Sequence, residues 1–172
     1  MTESTVNAAH SPAVPDRFRA MMSGFPTGVS VVTTTDVDGD PRGMTCSSIC
    51  SVTLAPPTLL VCLRAESPTL QAILRVGAFA VNLLHDDGLA IAQLFSSGSA
   101  DRFDFATWRP GPGTGLPHLV HDAHVIADCR VTRTERVGDH LVVFGQPSHI
   151  AEHGTQPPLL YGLRQYRSWP VR

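Results

Sequence analysis

The sequence predicts a mainly β fold: an antiparallel barrel, closed or nearly so, with a few short helices. Three observations carry this. Alternating, β-branched runs recur along the chain, at GVSVVTTTD, AFAVNLL, HVIADCRVTRTE and HLVVFGQPSHI. Turn signals at Asp38-Gly39 and at Val137-Gly138-Asp139 send the chain back on itself. A regular alternation of strand and helix is missing, which argues against a doubly wound sheet, and closure removes the exposed edges of an antiparallel one.

Residues 1–15 lack the basic region and apolar core of a secretory signal and read as a disordered leader. Residues 16–172 then form one domain, as the length suggests. Asp16 opens a short helix with Phe18, Met21, Met22 and Phe25 at helical spacing. A strand follows with Val29, Val31 and Thr33 on one face. After Asp38-Gly39 the chain returns through PRGMT into the hydroxyl-rich stretch GMTCSSICSVTLAPP, Gly43 to Pro57, read as a rigid, irregular corner. The continuous apolar run Leu59–Leu63 suits a strand buried on both faces.

Ser67-Pro68 is a helix start, with Ser as N-cap and Pro in the first helical position. Leu70, Ile73 and Leu74 form its buried stripe, and Gly77 ends it. Phe79, Val81 and Leu83 share one face of the next strand. Asp86 or Asp87 caps a second helix with Ile91, Leu94 and Phe95 as its apolar side. A Gly/Pro-rich loop runs from about Ser96 to Pro117. In the strand beyond it, Val125, Ala127, Cys129 and Val131 face inward, and Asp128, Arg130 and Thr132 face solvent or a partner. LLYG adds a final strand.

The formal net charge of -2 argues against a nucleic-acid binder, and no apolar run is long enough to span a membrane. Only 16% of residues are charged against 42% hydrophobic, which points to a surface covered by a second subunit. Cys46, Cys50, Cys62 and Cys129 have no zinc-site spacing; reduced thiols and a cytoplasmic location follow. His118, His121 and His124 are spaced by three, but no carboxylate or thiol set completes a metal site, and none is expected.

Candidate chemistry lies in four places. The hydroxyl cluster offers short donors and acceptors suited to a planar heterocycle with a polyol chain, although an ordinary Ser/Thr turn looks the same. The helix start at Ser67 can hold a phosphate, helped by Arg64, or can be a plain cap. FSSGSADRF sets Arg102 between Phe95 and Phe103, either as ligand walls with a phosphate contact or as a loop pinned by two buried rings. His140 faces a ligand at a barrel mouth or sits in a surface turn.

Taken in order, FRAMMSGFPTGVSVVTT, GMTCSSICSVTLAPPTLLVCL, SPTLQAILRVGAFAVNLL, LAIAQLFSSGSADRF, GLPHL, VGDHLVVFGQ and PPLLYGLRQY resemble the short-chain flavin reductase family. Its members are the reductase components of two-component flavin-dependent monooxygenases. The resemblance covers about residues 17 to 166. It implies a split β-barrel with a Greek-key core, assembled as a homodimer. It implies reduction of FMN or FAD by NADH or NADPH, and delivery of the reduced flavin to a partner monooxygenase.

By the same resemblance, Met44, Thr45, Cys46, Ser47 and Ser48, with Ser51, Val52, Thr53 and Leu54, line the isoalloxazine and ribityl chain. Ser67 and Arg102 contact the phosphate, Phe95 and Phe103 wall the site, and His140 lies near the nicotinamide. Ala55 departs from the family pattern, where Asp is frequent. An electron carrier or oxidase holding its flavin permanently, and a non-enzymatic ligand-binding barrel, are the other readings of such a chain.

Overall fold

The computed structural model describes residues 13–170. Helix α1 (Ala13–Ser23) starts three residues before the expected Asp16. The rest of the expected leader lies outside the described residues. The chain then forms β1 (Thr27–Gly28), β2 (Ser30–Thr35), β3 (Pro41–Cys46), β4 (Ile49–Leu54) and β5 (Pro57–Arg64). Helix α2 (Pro68–Val76) leads to β6 (Ala78–Leu84), a 3-10 turn at Asp86–Gly88, and α3 (Leu89–Ser96). Two short strands, β7 (Arg109–Pro110) and β8 (Pro117–His118), precede the long hairpin of β9 (Ala123–Val137) and β10 (His140–Glu152). β11 (Leu159–Gly162) and β12 (Gln165–Ser168) end the fold.

Seven strands form one antiparallel sheet in the order β3-β2-β6-β9-β10-β5-β4. Its two end strands, β3 and β4, are consecutive in the chain, with only Ser47 and Ser48 between them. Three Cα steps reach at most about 11 Å, so the sheet has to curl until its two edges meet. The meeting is incomplete: β3 and β4 do not pair among the described residues. The result is a split barrel. The stretch expected as an irregular corner is therefore two strands and a two-residue link, because the ladder with β5 orders Ile49–Leu54.

The curled sheet has apolar side chains on both faces. Inside the barrel, Val32, Val61, Leu63, Phe79, Val81, Cys129 and Val143 pack together and α2 plugs one end with Leu70 and Ile73. Outside it, Val31, Ala80 and Ile126 pack under α3 and the loop after it. This changes the expected pattern of β9. Asp128 and Ile126, on the face expected to be open, are fully buried because residues 111–119 cover them.

The polar groups buried there are paired. His118 Nε2 meets Asp128 Oδ1 at 2.6 Å, and Thr114 donates to Asp128 Oδ2 at 2.7 Å. Asn82 Oδ1 accepts the Leu119 N–H, while Thr33 donates to the Pro117 carbonyl.

Helix caps divide. Ser67 caps α2 as expected, its hydroxyl accepting from the Leu70 N–H, and Gly77 ends it at φ 74°. Leu74, however, points outward and Thr69 and Ala72 are buried instead. Neither Asp86 nor Asp87 caps α3, because the 3-10 turn intervenes and Gly88 takes that position. Asp86 accepts from the Ser168 hydroxyl at 2.8 Å. In α1, Phe18, Met21 and Met22 keep their helical spacing but are exposed in the single chain. No helix among the described residues is long and apolar enough to cross a membrane.

Candidate functional site

A cleft of about 840 Å³ opens at the rim of the barrel. Its floor is β3 from Pro41 to Thr45. One side is the end of β5 and the start of α2, another is the end of α3 with the following loop to Phe103, and the tip of the β9–β10 hairpin overhangs it through Arg136 and Asp139. The tip is bolted down, since the Ala65 N–H donates to the Asp139 carbonyl at 2.9 Å.

The start of α2 has the make-up of an anion site. Pro68 has no N–H, and the Ser67 side chain and carbonyl take those of Leu70 and Gln71. That leaves the Thr69 N–H, at the positive end of the helix dipole, on the cleft wall. The Ser67 hydroxyl also touches the Met44 sulfur at 3.2 Å, joining wall to floor.

Arg102 closes the opposite side. Its Nε donates to the Ser99 carbonyl at 2.5 Å, and its Nη1 to the carbonyls of Gly43 at 2.7 Å and Phe95 at 3.3 Å. Burial lowers its pKa below the usual arginine value. These bonds occupy Nε and Nη1 and leave Nη2 without a hydrogen-bond partner among the described residues.

Phe95 and Phe103 meet edge to face at 5.0 Å, and Phe103 meets Trp108 the same way at 5.8 Å. Gly43 is the reason they fit under the floor. A Cβ there would stand 3.0 Å from Phe95 and 3.1 Å from Phe103, tighter than a packed core accepts without shifting.

The sequence-assigned residues fall into two groups. Met44, Thr45, Ser67, Phe95, Arg102 and Phe103 come together on this cleft. Thr45 donates its hydroxyl to the Ala92 carbonyl at 2.6 Å, so it fixes α3 against β3. Both phenylalanines are almost wholly buried, so they carry the floor and offer the cleft little more than ring edges.

The second group is not on the cleft wall. Cys46 points into the barrel, where burial first of all pushes its thiol pKa up. Ser47 and Ser48 form the link, and Ser51, Val52, Thr53 and Leu54 lie exposed along the edge strand β4, with Leu54 85% exposed. His140 also lies outside the cleft lining. Its side chain is 41% exposed and Nδ1 meets Asp139 Oδ1 at 2.8 Å. That bond, and then the charges of His140 and Arg64, hold the Asp139 pKa below the usual carboxylate value.

Sequence reasoning missed Arg42, Glu66 and Arg136, which also line the cleft. Each is a lone charged residue at a strand or turn end, a pattern that marks any solvated surface as well. For Arg136 one signal existed, its place two residues before the Gly138-Asp139 turn.

The residues present fit the flavin phosphate that the sequence leads one to expect: a helix-start N–H and an arginine line one cleft, over a floor where a side chain at Gly43 would crowd both phenylalanine rings. Residues 22–170 match the family described as flavin reductase like domain. The chain is 50% identical over 152 residues to a flavin reductase (NADPH) of Lentzea aerocolonigenes, covering 88% of each. It is 37% identical to the reductase subunit HsaB of a flavin-dependent monooxygenase of Rhodococcus jostii, covering 88% of this chain and 76% of that one. Among solved structures, the Streptomyces globisporus NADH:FAD oxidoreductase SgcE6, in complex with NAD and FAD fragments, superposes with a TM-score of 0.85 at 29% identity. That match covers 93% of this chain and 95% of the other.

Proposed function

The chain belongs to the flavin reductase-like family, and from that premise we propose that it is an NAD(P)H:flavin oxidoreductase supplying reduced FMN or FAD to a partner monooxygenase. The single observation that carries this reading is the cleft: six residues assigned from sequence to flavin binding converge on it from four separate elements. When both substrates are bound, hydride passes from nicotinamide C4 to flavin N5, chemistry that the cofactors themselves carry.

What the chain contributes is position. Thr69 and Arg102 would hold the flavin phosphate, Met44 and Thr45 would bear on the ribityl chain, and Ser47 and Ser48 would lie beside the ring. Ser51, Val52, Thr53 and Leu54 then meet its edge. Hydride transfer would need one ring face left bare for the nicotinamide to stack at about 3–3.5 Å. His140, held by Asp139 at the rim, orients the nicotinamide.

The test is oxidation of NADH and NADPH with free FMN and free FAD in excess over enzyme. Many turnovers per chain are expected, with flavin lost on dialysis. A protein that retains its flavin and turns over none would be an electron carrier or oxidase instead; one that binds no flavin would be a ligand-binding barrel of another kind. His140→Ala is expected to slow single-turnover hydride transfer roughly tenfold while flavin affinity stays within a factor of two. An unchanged rate removes His140 from the reaction.

The active form in this reading is a cytoplasmic homodimer. Its support is the uncovered apolar surface: Phe18, Met21 and Met22 on α1, and the edge strand β4 with Val52 and Leu54. Such an edge invites pairing unless something covers it. Sedimentation at twice the chain mass is the expected result, and a monomer at micromolar concentration would contradict it.

A further inference from the structure

Two arginines on the cleft lie outside the pair formed by Thr69 and Arg102: Arg136, and Arg64, which the sequence had placed beside the Ser67 helix start. Arg64 ends β5 and Arg136 sits near the end of β9, with β10 between them. Leu141 of β10 pairs with both Leu63 and Arg136, and His140 pairs with both Arg64 and Val137. The two arginines are thus two strands and one residue apart, about 10 Å between backbones, and both residues line the cleft. Arg136 shares its pairing level with the buried Leu63 and Arg64 stands one residue farther along, so the two side chains leave opposite faces of the sheet at its rim, where both residues line the cleft.

Their charge is largely unspent. Of the four arginines on the cleft, Arg42 pairs with Asp40 at 3.3 Å and lies 3.7 Å from Asp36, and Arg102 is held by three carbonyls. Arg64 and Arg136 make neither an ion pair nor a side-chain hydrogen bond among the described residues. The acids on the cleft are Glu66 and Asp139. Asp139 feels Arg64 only as the lesser of its influences, after its bond to His140. A mononucleotide needs one phosphate site, which Thr69 and Arg102 supply. A second pair of guanidinium groups, planar forks suited to phosphoryl oxygens, exceeds that need.

We propose that Arg64 and Arg136 form a second phosphoryl site, which binds the additional phosphate of a dinucleotide substrate and sets which dinucleotide the enzyme prefers. This rests on the flavin reductase reading. Two substrates can bring that group: FAD, through its adenylate phosphate, or the nicotinamide dinucleotide, through its pyrophosphate or the 2′-phosphate of NADPH.

The experiment is steady-state kinetics of the full chain and its Arg136→Gln and Arg64→Gln/Arg136→Gln variants, with FMN against FAD and NADH against NADPH. Both residues are exposed, so folding is not at stake; circular dichroism and melting confirm this. If FAD is the source, the ratio of its KM to that of FMN rises about five- to tenfold in the single variant and further in the double. If the nicotinamide dinucleotide is the source, its KM rises with either flavin, and a larger rise for NADPH than for NADH assigns the 2′-phosphate. In either case the affected KM loses part of its salt dependence.

Arg109→Gln, which removes a charge away from the cleft, leaves these ratios unchanged. KM values that stay within twofold for every substrate, or that rise equally for FMN and all others, overturn the second site. A wild-type chain that oxidises neither NADH nor NADPH with either flavin instead sinks the reductase reading itself.

Discussion

Arg102→Ala is expected to raise the KM for FMN and for FAD together by about ten- to hundredfold, the range of a lost hydrogen bond to a charged group. Two losses add in one substitution. The flavin phosphate loses its cation, and the loop 96–103 loses its internal bond to Ser99 and the two that tie it to Gly43 and Phe95. Arg102→Lys separates them. Lysine restores a positive charge but only as a single point, so it recovers part of the flavin affinity while the loop stays released. Equilibrium flavin binding and limited proteolysis of the loop read the two effects independently. Flavin affinity unchanged in the alanine variant would leave Arg102 with a purely structural role.

The largest effect on stability is expected at His118→Ala, about 3–5 kcal/mol by urea unfolding at neutral pH. Asp128 is fully buried in the middle of β9, and His118 and Thr114 are the side chains that satisfy its two oxygens. Removing His118 strands a carboxylate beneath a loop that has just lost its clasp. Against a total of about 5–15 kcal/mol for a domain, that is a large share. The backbone is shaped for this contact: a Cβ on Gly111 would lie 2.4 Å from His118 Nε2. Asp128→Asn keeps the shape without the charge and is expected to cost less. A loss below about 1 kcal/mol in the alanine variant would mean that the loop is held by Leu116 and Leu119 alone.

The candidate site was half legible in the chain. Ser67 was readable because an N-cap followed by proline is a local signal, and the structure has that cap. Arg102 and its two phenylalanines were readable as a unit, but not the fact that the rings lie buried under Gly43 and that the guanidinium first serves the backbone. The hydroxyl cluster was the reverse. Its richness in Ser and Thr was plain, yet only Gly43, Met44 and Thr45 of it reach the cleft, because the chain crosses from one edge of the sheet to the other at Ser47–Ser48 and carries the rest away along β4. The alternation in β9 misled for a similar reason: a loop from elsewhere covers the face that the pattern marked as polar.

By itself the sequence determined the longer strands other than β4, the hairpin turns, the caps of α2 and the order of the motifs, since each depends on residues within a few positions of one another. Tertiary structure alone decided that β3 and β4 would face each other across a seam, that Asp128 would be buried, and that Arg136 would come to lie near Arg64 and the start of a helix some seventy residues earlier. Those outcomes follow from sheet order and curl. They are set by long-range pairing, which no local spacing of side chains records.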